Sequence, residues 1–169
     1  MKRPTKLLML LLCLGAANCS AGDARKLALQ GAWECGPYSM AGPGFESTGT
    51  YMSTYASDGS YRETSETEYR LTNGKVVTLR DRSHGSWTLK DDVIFVRYDK
   101  VEFLSSDDPT YTVQMGQDSA DAQQKKKNWS KSRILELGDR LVKFPVEAMY
   151  KGAEVKVSCQ RPTMKKPSR

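Results

Sequence analysis

Histidine and cysteine are scarce in this sequence, and their scarcity limits the chemistry that the chain offers. Its 169 residues include one His and four Cys. His84 has no Cys or Glu at the spacing of a zinc site. Ser83 and Asp81 lie too close along one strand to face it as a catalytic triad. No glycine-rich phosphate-binding loop occurs either, so we expect no metal, no cofactor and no enzymatic activity.

Long apolar runs are also missing. The apolar run at residues 7–14 spans about eight residues, far below the roughly 20 that a membrane-spanning helix needs. It follows Lys2, Arg3 and Lys6 and precedes small residues, which is typical of an export signal. We therefore expect residues 1–21 to be a signal peptide. The mature protein would then be exported, either to a bacterial periplasm or outer membrane or by secretion.

Cys19 raises the question of a lipid anchor. It follows Ala16-Ala17-Asn18, at the place where bacterial lipoproteins carry their lipid-modified cysteine. The usual motif has Leu three residues before that cysteine and Gly or Ala directly before it, and this chain has Ala16 and Asn18. Ordinary cleavage after Ala17 or after Ala21 would also suit the small residues there. Both a membrane tether through Cys19 and its removal with the signal remain open.

Neither positive nor negative charge is in strong excess in this sequence. The formal net charge is +6, and Lys2, Arg3 and Lys6 of the expected signal carry half of it. We therefore expect no nucleic-acid partner. The remaining basic residues cluster within residues 125–133 and in the tail. That pattern suits an anionic partner or an ordinary solvated surface, and we expect residues 162–169 to be a disordered basic tail.

Cys13 lies inside the expected signal, so Cys35 and Cys159 are the pair that remains for the mature fold. An exported protein meets an oxidising compartment, where a disulfide is the default state of such a pair. Neither cysteine has a nearby His or a Cys-x-x-Cys partner that would indicate a metal or a reactive thiol. We predict a Cys35–Cys159 disulfide. Closing so long a loop contributes roughly 4 to 5 kcal/mol in the chain-entropy model.

Turn signals and β-forming segments alternate along the rest of the chain. From Gly31 onward, turn residues recur at intervals of roughly 10 to 17 residues between segments rich in Tyr, Thr, Val and Ser, which is typical of an antiparallel all-β domain. We predict a single up-and-down β-barrel of about eight strands over residues 31–161. A linker at residues 22–30 precedes it. A short helix or mobile loop is expected near residues 118–131, which lack β-branched side chains.

Three local predictions bear on the binding surfaces. Residues 36–44 are rich in Gly and Pro and predict a loop. Residues 110–115 predict a short strand. Residues 61–71 alternate regularly, but neither face is strongly apolar, so we expect that hairpin to reach beyond the core into solvent. Closure of the barrel would pair the first strand with the last, and the disulfide would then join those two strands directly.

A short motif connects the chain to a known group. Gly31-Ala32-Trp33 on the first expected strand resembles the Gly-x-Trp motif of lipocalins and of lipocalin-like bacterial envelope proteins. Asp58-Gly59-Ser60-Tyr61 and the segment at residues 85–92 also resemble hairpin and strand patterns of those bacterial proteins. The resemblance implies a barrel whose closed end is plugged by Trp33. It also implies that Arg161 stacks on the ring of that tryptophan.

Two functions follow from this reading. In the first, the barrel mouth holds a small apolar or amphipathic ligand, with a candidate cavity formed by Leu79, Trp87, Val93 and Phe95. In the second, the domain is an inhibitor or immunity protein that binds a secreted or envelope hydrolase. Its candidate interface is formed by Tyr38, Met40, Phe45 and Trp129, because aromatic side chains beside cations are common at interfaces. We expect a monomer in either case.

Overall fold

The computed structural model describes residues 21–147 and 154–163. This part of the chain forms one curled antiparallel sheet of nine strands, a half-barrel with two short helices, which confirms the all-β, barrel-like prediction. The elements are α1 Ala21–Leu29, β1 Gly31–Gly42, β2 Phe45–Tyr55, β3 Ser60–Leu71, β4 Val76–Lys90, β5 Val93–Ser106, α2 Val113–Lys126, β6 Trp129–Arg133, β7 Glu136–Leu137, β8 Leu141–Glu147 and β9 Glu154–Gln160. Residues 1–20, with Cys19 and nearly all of the expected signal, lie outside the described residues, as do residues 164–169 of the expected tail.

The strand order is that of an up-and-down meander. Across the sheet the strands run β6-β5-β4-β3-β2-β1-β9-β8-β7, so every two adjacent strands are consecutive in sequence except β1 and β9. At that junction Glu34 is opposite Gln160 and Cys35 is opposite Cys159. The two cysteines form a disulfide. Both the pairing of the first strand with the last and the Cys35–Cys159 bridge are therefore confirmed.

The two edges of the sheet lie next to each other in sequence. β6 pairs with β5 and β7 pairs with β8, and only Ile134 and Leu135 separate the two edge strands. The Ile134 amide donates to the Asp92 carbonyl at 2.7 Å, and the Leu135 amide donates to the Lys143 carbonyl at 2.8 Å. The two-residue connection is therefore hydrogen-bonded to both sides of the curled sheet.

Several local predictions were wrong. Residues 22–30 belong mainly to α1 instead of a linker, because Leu29 is 0% exposed and anchors the helix in the core. Residues 36–44 lie mostly in β1, which continues past a bulge between Cys35 and Tyr38. His84 lies on β4, where its side chain is exposed.

The segment at residues 110–115 is the start of a helix and not a strand. Thr112 is the N-cap of α2, and its Oγ1 accepts a hydrogen bond from the Met115 amide at 3.2 Å. Such a cap satisfies one of the free amides at a helix start. α2 therefore begins at Val113, earlier than the segment expected at residues 118–131, whose last residues form β6 instead.

The apolar core fills the α1 side of the half-barrel. Trp33, Leu29, Val142 and Val157 are fully buried there, together with the disulfide. Tyr55 packs edge-on against Trp87 with ring centroids 5.2 Å apart. The helices α1 and α2 lack the length and apolar character of a membrane span, in so far as the chain is described.

Removing the disulfide tests the junction between the first and last strands. A Cys35→Ala/Cys159→Ala variant should lose about 2 to 5 kcal/mol of stability, because the unfolded chain regains the freedom of a long loop. Its melting temperature should fall by roughly 5 to 15 °C, as measured by circular dichroism. Reductant should lower the melting temperature of the wild type but leave that of the variant unchanged. A wild type insensitive to reductant under unfolding conditions would contradict the assignment.

Candidate functional site

A cleft lies between the concave face of the sheet and α2. It encloses about 410 Å³. Strands β1, β3, β4 and β5 supply one wall through alternate, inward-facing residues, and α2 supplies the other through Gly116, Ala120 and Gln123. Further described residues on the strand wall are Tyr38, Met40, Glu63, Ser65, Thr67, Tyr69, Leu79, Asp81, Ser83, Tyr98, Val101 and Phe103.

The register of the sheet explains why these side chains meet. Successive residues of a strand point to opposite faces, so residues opposite each other on neighbouring strands share a face. One inward row contains Ser53, Glu63, Ser83 and Val101, and the next contains Tyr51, Ser65, Asp81 and Phe103. Glu63 and Asp81 are therefore diagonal neighbours inside the half-barrel.

Glu63 is a half-buried carboxyl group of the cleft. Burial raises the pKa of Glu63, and the nearby charge of Asp81 raises it further, whereas a hydrogen bond donated by the Tyr61 hydroxyl lowers it. Burial also raises the pKa of Asp81. Neither carboxylate forms a salt bridge with any Lys or Arg of the described chain. Two acidic groups thus share an interior space with no ion-pair partner.

Tyrosine rings surround this pair. Tyr38 and Tyr51 pack edge to face with centroids 6.0 Å apart, and Tyr61 and Tyr98 do so at 6.1 Å. Burial is the main cause that raises the pKa of each of these phenols, and the charge of Glu63 adds to it. The phenols consequently stay protonated at neutral pH and can donate hydrogen bonds.

A second cavity continues from the first toward the core. It encloses about 450 Å³ and shares Tyr38, Glu63, Tyr98, Gln123 and Lys127 with the first. Its other lining side chains include Ile94, Val96 and Phe144. The carboxyl group of Glu63 therefore lies where a polar space meets a more apolar one.

Glutamine side chains hold α2 over the cleft. β6 pairs with only the first part of β5, up to Arg97, so the backbone of β5 beyond it lacks a strand partner on that side. Gln117 accepts a hydrogen bond from the Phe103 amide at 2.9 Å and donates one to the Val101 carbonyl at 2.9 Å. Gln124 donates to the Tyr98 carbonyl at 3.1 Å. The side chains of α2 thus replace a neighbouring strand at this edge.

The residues predicted to line a ligand cavity do not lie together. Leu79 lines the cleft. Trp87 is buried in the core, where its Nε1 donates to the Ala56 carbonyl at 2.9 Å. Val93 and Phe95 lie on the other face of β5 from the buried Ile94, and Phe95 is 38% exposed. Assigning Phe95 to the interior was wrong, because the buried face of β5 carries its even-numbered residues there.

The residues predicted to form a protein interface are also divided. Tyr38 and Met40 face the cleft, because they belong to β1 and not to a loop. Phe45 packs on Tyr69, with ring centroids 5.5 Å apart. Trp129 is 46% exposed on β6. The four side chains therefore do not form the single surface that the sequence analysis proposed.

The Gly-x-Trp segment and Arg161 meet at the α1 end of the half-barrel. The guanidinium carbon of Arg161 lies 3.9 Å from the centroid of the Trp33 ring. Arg161 also donates to the Ala28 carbonyl at 2.7 Å, and Trp33 Nε1 donates to the Leu29 carbonyl at 2.7 Å. Gly31 has a φ of +104°, and a Cβ there would lie 2.6 Å from Nη1 of Arg161. Glycine is thus required for this close approach.

Comparison with known proteins gives no relative from which to transfer a function. No family model matches the chain, and no curated protein matches it significantly. In the described part of the chain, no group of three or more His, Cys, Asp or Glu side chains converges as a metal site would require.

The sequence analysis missed Glu63 and Asp81. Both lie on strands whose polar residues alternate between the two faces of the sheet. The available signal was the regular alternation of Tyr61, Glu63 and Ser65 with exposed polar and charged residues. That alternation showed which residues share a face. It did not show that the face is concave and covered by a helix.

The buried carboxyl group of Glu63 should make stability depend on pH. Since its pKa is raised in the folded state, the folded protein binds more protons than the unfolded chain just above the ordinary glutamate pKa, and stability falls as pH rises through that window. A Glu63→Gln variant should lose less stability than the wild type as pH rises above about 4. Thermal melting measured across that range checks this.

Glu68→Gln is the matched control, because Glu68 lies on the exposed face of the same strand. It should follow the wild-type decline. If melting temperature depends on pH in the same way for the wild type and for Glu63→Gln, the Glu63 carboxyl group is not held in an interior environment.

Proposed function

We propose that this protein binds a small amphipathic molecule in the cleft between its half-barrel and α2. The observation that carries the proposal is a pair of adjoining cavities of about 410 and 450 Å³, of the size that holds small ligands. One cavity is lined by hydroxyl and carboxyl groups, and the other reaches apolar core residues. A ligand with a polar head and an apolar part matches both.

The architecture supports a lipocalin-like binding protein. One end of the half-barrel is filled by Trp33 under Arg161, as the Gly-x-Trp resemblance implies. The opposite end is open enough to hold the cleft.

The location of the protein is part of this proposal. The disulfide indicates an exported protein or one that folds in an oxidising compartment. We propose the bacterial periplasm, or the outer membrane if Cys19 carries a lipid. In either place the cleft would meet small molecules that enter the cell envelope.

Filling the cleft tests the proposed function. Ser65 lines the cavity on β3, and Thr64 beside it points to the exposed face. A Ser65→Phe variant should weaken uptake of the fluorescent probe N-phenyl-1-naphthylamine by about tenfold or more, because the new ring occupies the binding space. Thr64→Phe should leave uptake unchanged.

Circular dichroism must show that both variants keep the fold. Equal probe affinity in the wild type and in a folded Ser65→Phe variant would place probe binding outside the cleft. Absence of any probe uptake by the wild type would count against a small-molecule role.

A second candidate function is binding to an acidic protein surface. Phe95 and Trp129 are exposed aromatic residues on the outer face, and the residues opposite them across the strands are Lys131 and Arg97. An apolar centre with a basic rim is typical of a site for an acidic partner, such as a secreted hydrolase. This surface replaces the interface expected from Tyr38, Met40, Phe45 and Trp129.

Native mass spectrometry of the mature protein from its envelope fraction distinguishes the two candidates. The second candidate predicts a stoichiometric protein complex that Phe95→Ala disrupts without a change in melting temperature. A bound small mass in both the wild type and this variant favours the cleft instead, and a complex unaffected by Phe95→Ala would exclude this surface.

A further inference from the structure

The acidic pair in the cleft lacks the positive charge that usually accompanies buried carboxylates. Burying an ionised carboxyl group without a partner is costly, and two of them close together repel each other. In the described part of the chain, neither Glu63 nor Asp81 takes part in a salt bridge. A proton or a bound cation therefore has to compensate the pair.

The other ionisable groups near the pair do not supply that cation. The tyrosines around it are neutral phenols. Lys127 lines both cavities, and Lys126 and Lys131 line the second. None of the three forms a salt bridge with Glu63 or Asp81, and the amino group of Lys127 lies 4.8 Å from the centroid of the Trp129 ring. The described groups that face the two cavities, besides Glu63, are Tyr38, Tyr51, Tyr55, Tyr61, Tyr69, Asp81, Tyr98, Tyr111, Lys126, Lys127 and Lys131.

The rings around Glu63 add a second, independent attraction for a cation. The faces of aromatic rings attract ammonium groups, most strongly where water is excluded. Tyr38 and Tyr98 line both cavities beside Glu63, and Tyr51 and Tyr61 line the deeper one.

The apolar end of the cleft fixes which cation fits. Ile94, Val96 and Phe144 line the second cavity below Glu63. An inorganic ion would leave those side chains without a partner, and a purely apolar molecule would leave the carboxylates uncompensated. An alkyl chain that ends in an ammonium group satisfies both.

We propose that the cleft selects cationic amphiphiles, an inference that rests on the function proposed above. The ammonium head lies between Glu63 and Asp81 against the tyrosine rings, and the alkyl tail extends along Ile94, Val96 and Phe144. The protein would then act as a carrier or sensor of amphiphilic amines or quaternary ammonium compounds that reach its compartment.

Three probes of equal chain length test the selectivity. Decyltrimethylammonium, 1-decanol and decyl sulfate are used below their micelle concentrations to displace N-phenyl-1-naphthylamine from the full mature protein. The cation should bind about tenfold more tightly than the anion or the alcohol. Its affinity should rise as pH increases above about 4, the ordinary range of carboxyl groups, because the pKa values of Glu63 and Asp81 are raised and the two groups ionise there.

Charge removal identifies the groups responsible. Glu63→Gln should lower the ratio of cation to anion affinity by about tenfold, and Glu63→Gln/Asp81→Asn should remove the preference. Glu68→Gln, on the exposed face of β3, should keep the wild-type ratio. If Glu63→Gln does not fold, Asp81→Asn alone serves, with a smaller loss of the ratio expected.

The outcomes separate this inference from the proposed function. Equal displacement by all three probes, or a cation preference that Glu63→Gln and Asp81→Asn leave intact, would overturn the selectivity while the binding role stands. Failure of the wild type to take up N-phenyl-1-naphthylamine or any of the three would overturn both.

Discussion

The junction of β1 with β9 is the constraint on which the rest of this structure depends. Only two residue pairs join these strands in register, Glu34 with Gln160 and Cys35 with Cys159. The two cysteines are 124 residues apart in sequence. The few backbone hydrogen bonds of so short a contact offset little of the entropy that is lost when the loop closes. The disulfide lies at that contact and makes it covalent. Arg161, directly after β9, adds its stacking on Trp33 and its hydrogen bonds to carbonyls of α1 and β1.

Closure at that junction is what gives the sheet its concave interior. Curling turns one face of each strand inward, so polar residues that would be exposed on a flat sheet become the lining of a cleft. Glu63 and Asp81 lower the stability of the apo protein at neutral pH, since burial opposes their ionisation. Interior groups of this kind are concentrated at functional sites, and here they lie on strands whose positions the sheet fixes.

α2 completes the cleft with contacts that differ from those of the core. Gly116 packs so closely that a Cβ there would lie 2.2 Å from the Phe103 ring, and Gln117 and Gln124 bond to the backbone of β5. The face of α2 toward solvent carries exposed Val113 and Met115. Polar bonds and one close contact thus hold the helix in place, whereas α1 is anchored by the fully buried Leu29.

The sequence predicted the features that depend on local pattern and on covalent chemistry. Alternation and turn residues such as Asp58-Gly59 were enough for the meander, and the cysteine positions were enough for the bridge. The path of β1 past Gly36 was missed because Gly and Pro indicate loops, while here they form a bulge within a strand. α2 was misplaced because Val113 and Met115 suit a strand equally well, and the decisive Thr112 cap is a single side chain.

The site itself was out of reach for a related reason. Which face of a strand lies inside a curled sheet depends on contacts between distant strands, so the sequence did not show that Phe95 lies outside and that Tyr38 and Met40 lie inside. Glu63 looked like one more solvated glutamate, since its neighbours Asp81, Tyr38, Tyr51 and Tyr98 on the inward face come from four other strands. Its role became visible only when the sheet placed them around it.

Chemical-shift mapping tests the central claim most directly, because it locates a bound ligand residue by residue. The amide spectrum of the isotope-labelled mature protein is recorded while decyltrimethylammonium is added. Our account predicts that the largest shifts occur at Glu63, Asp81, Tyr98 and Gln123, with Phe95 and Thr64 on the outer face little changed. Shifts confined to the outer face, with the cleft residues unaffected, would contradict it.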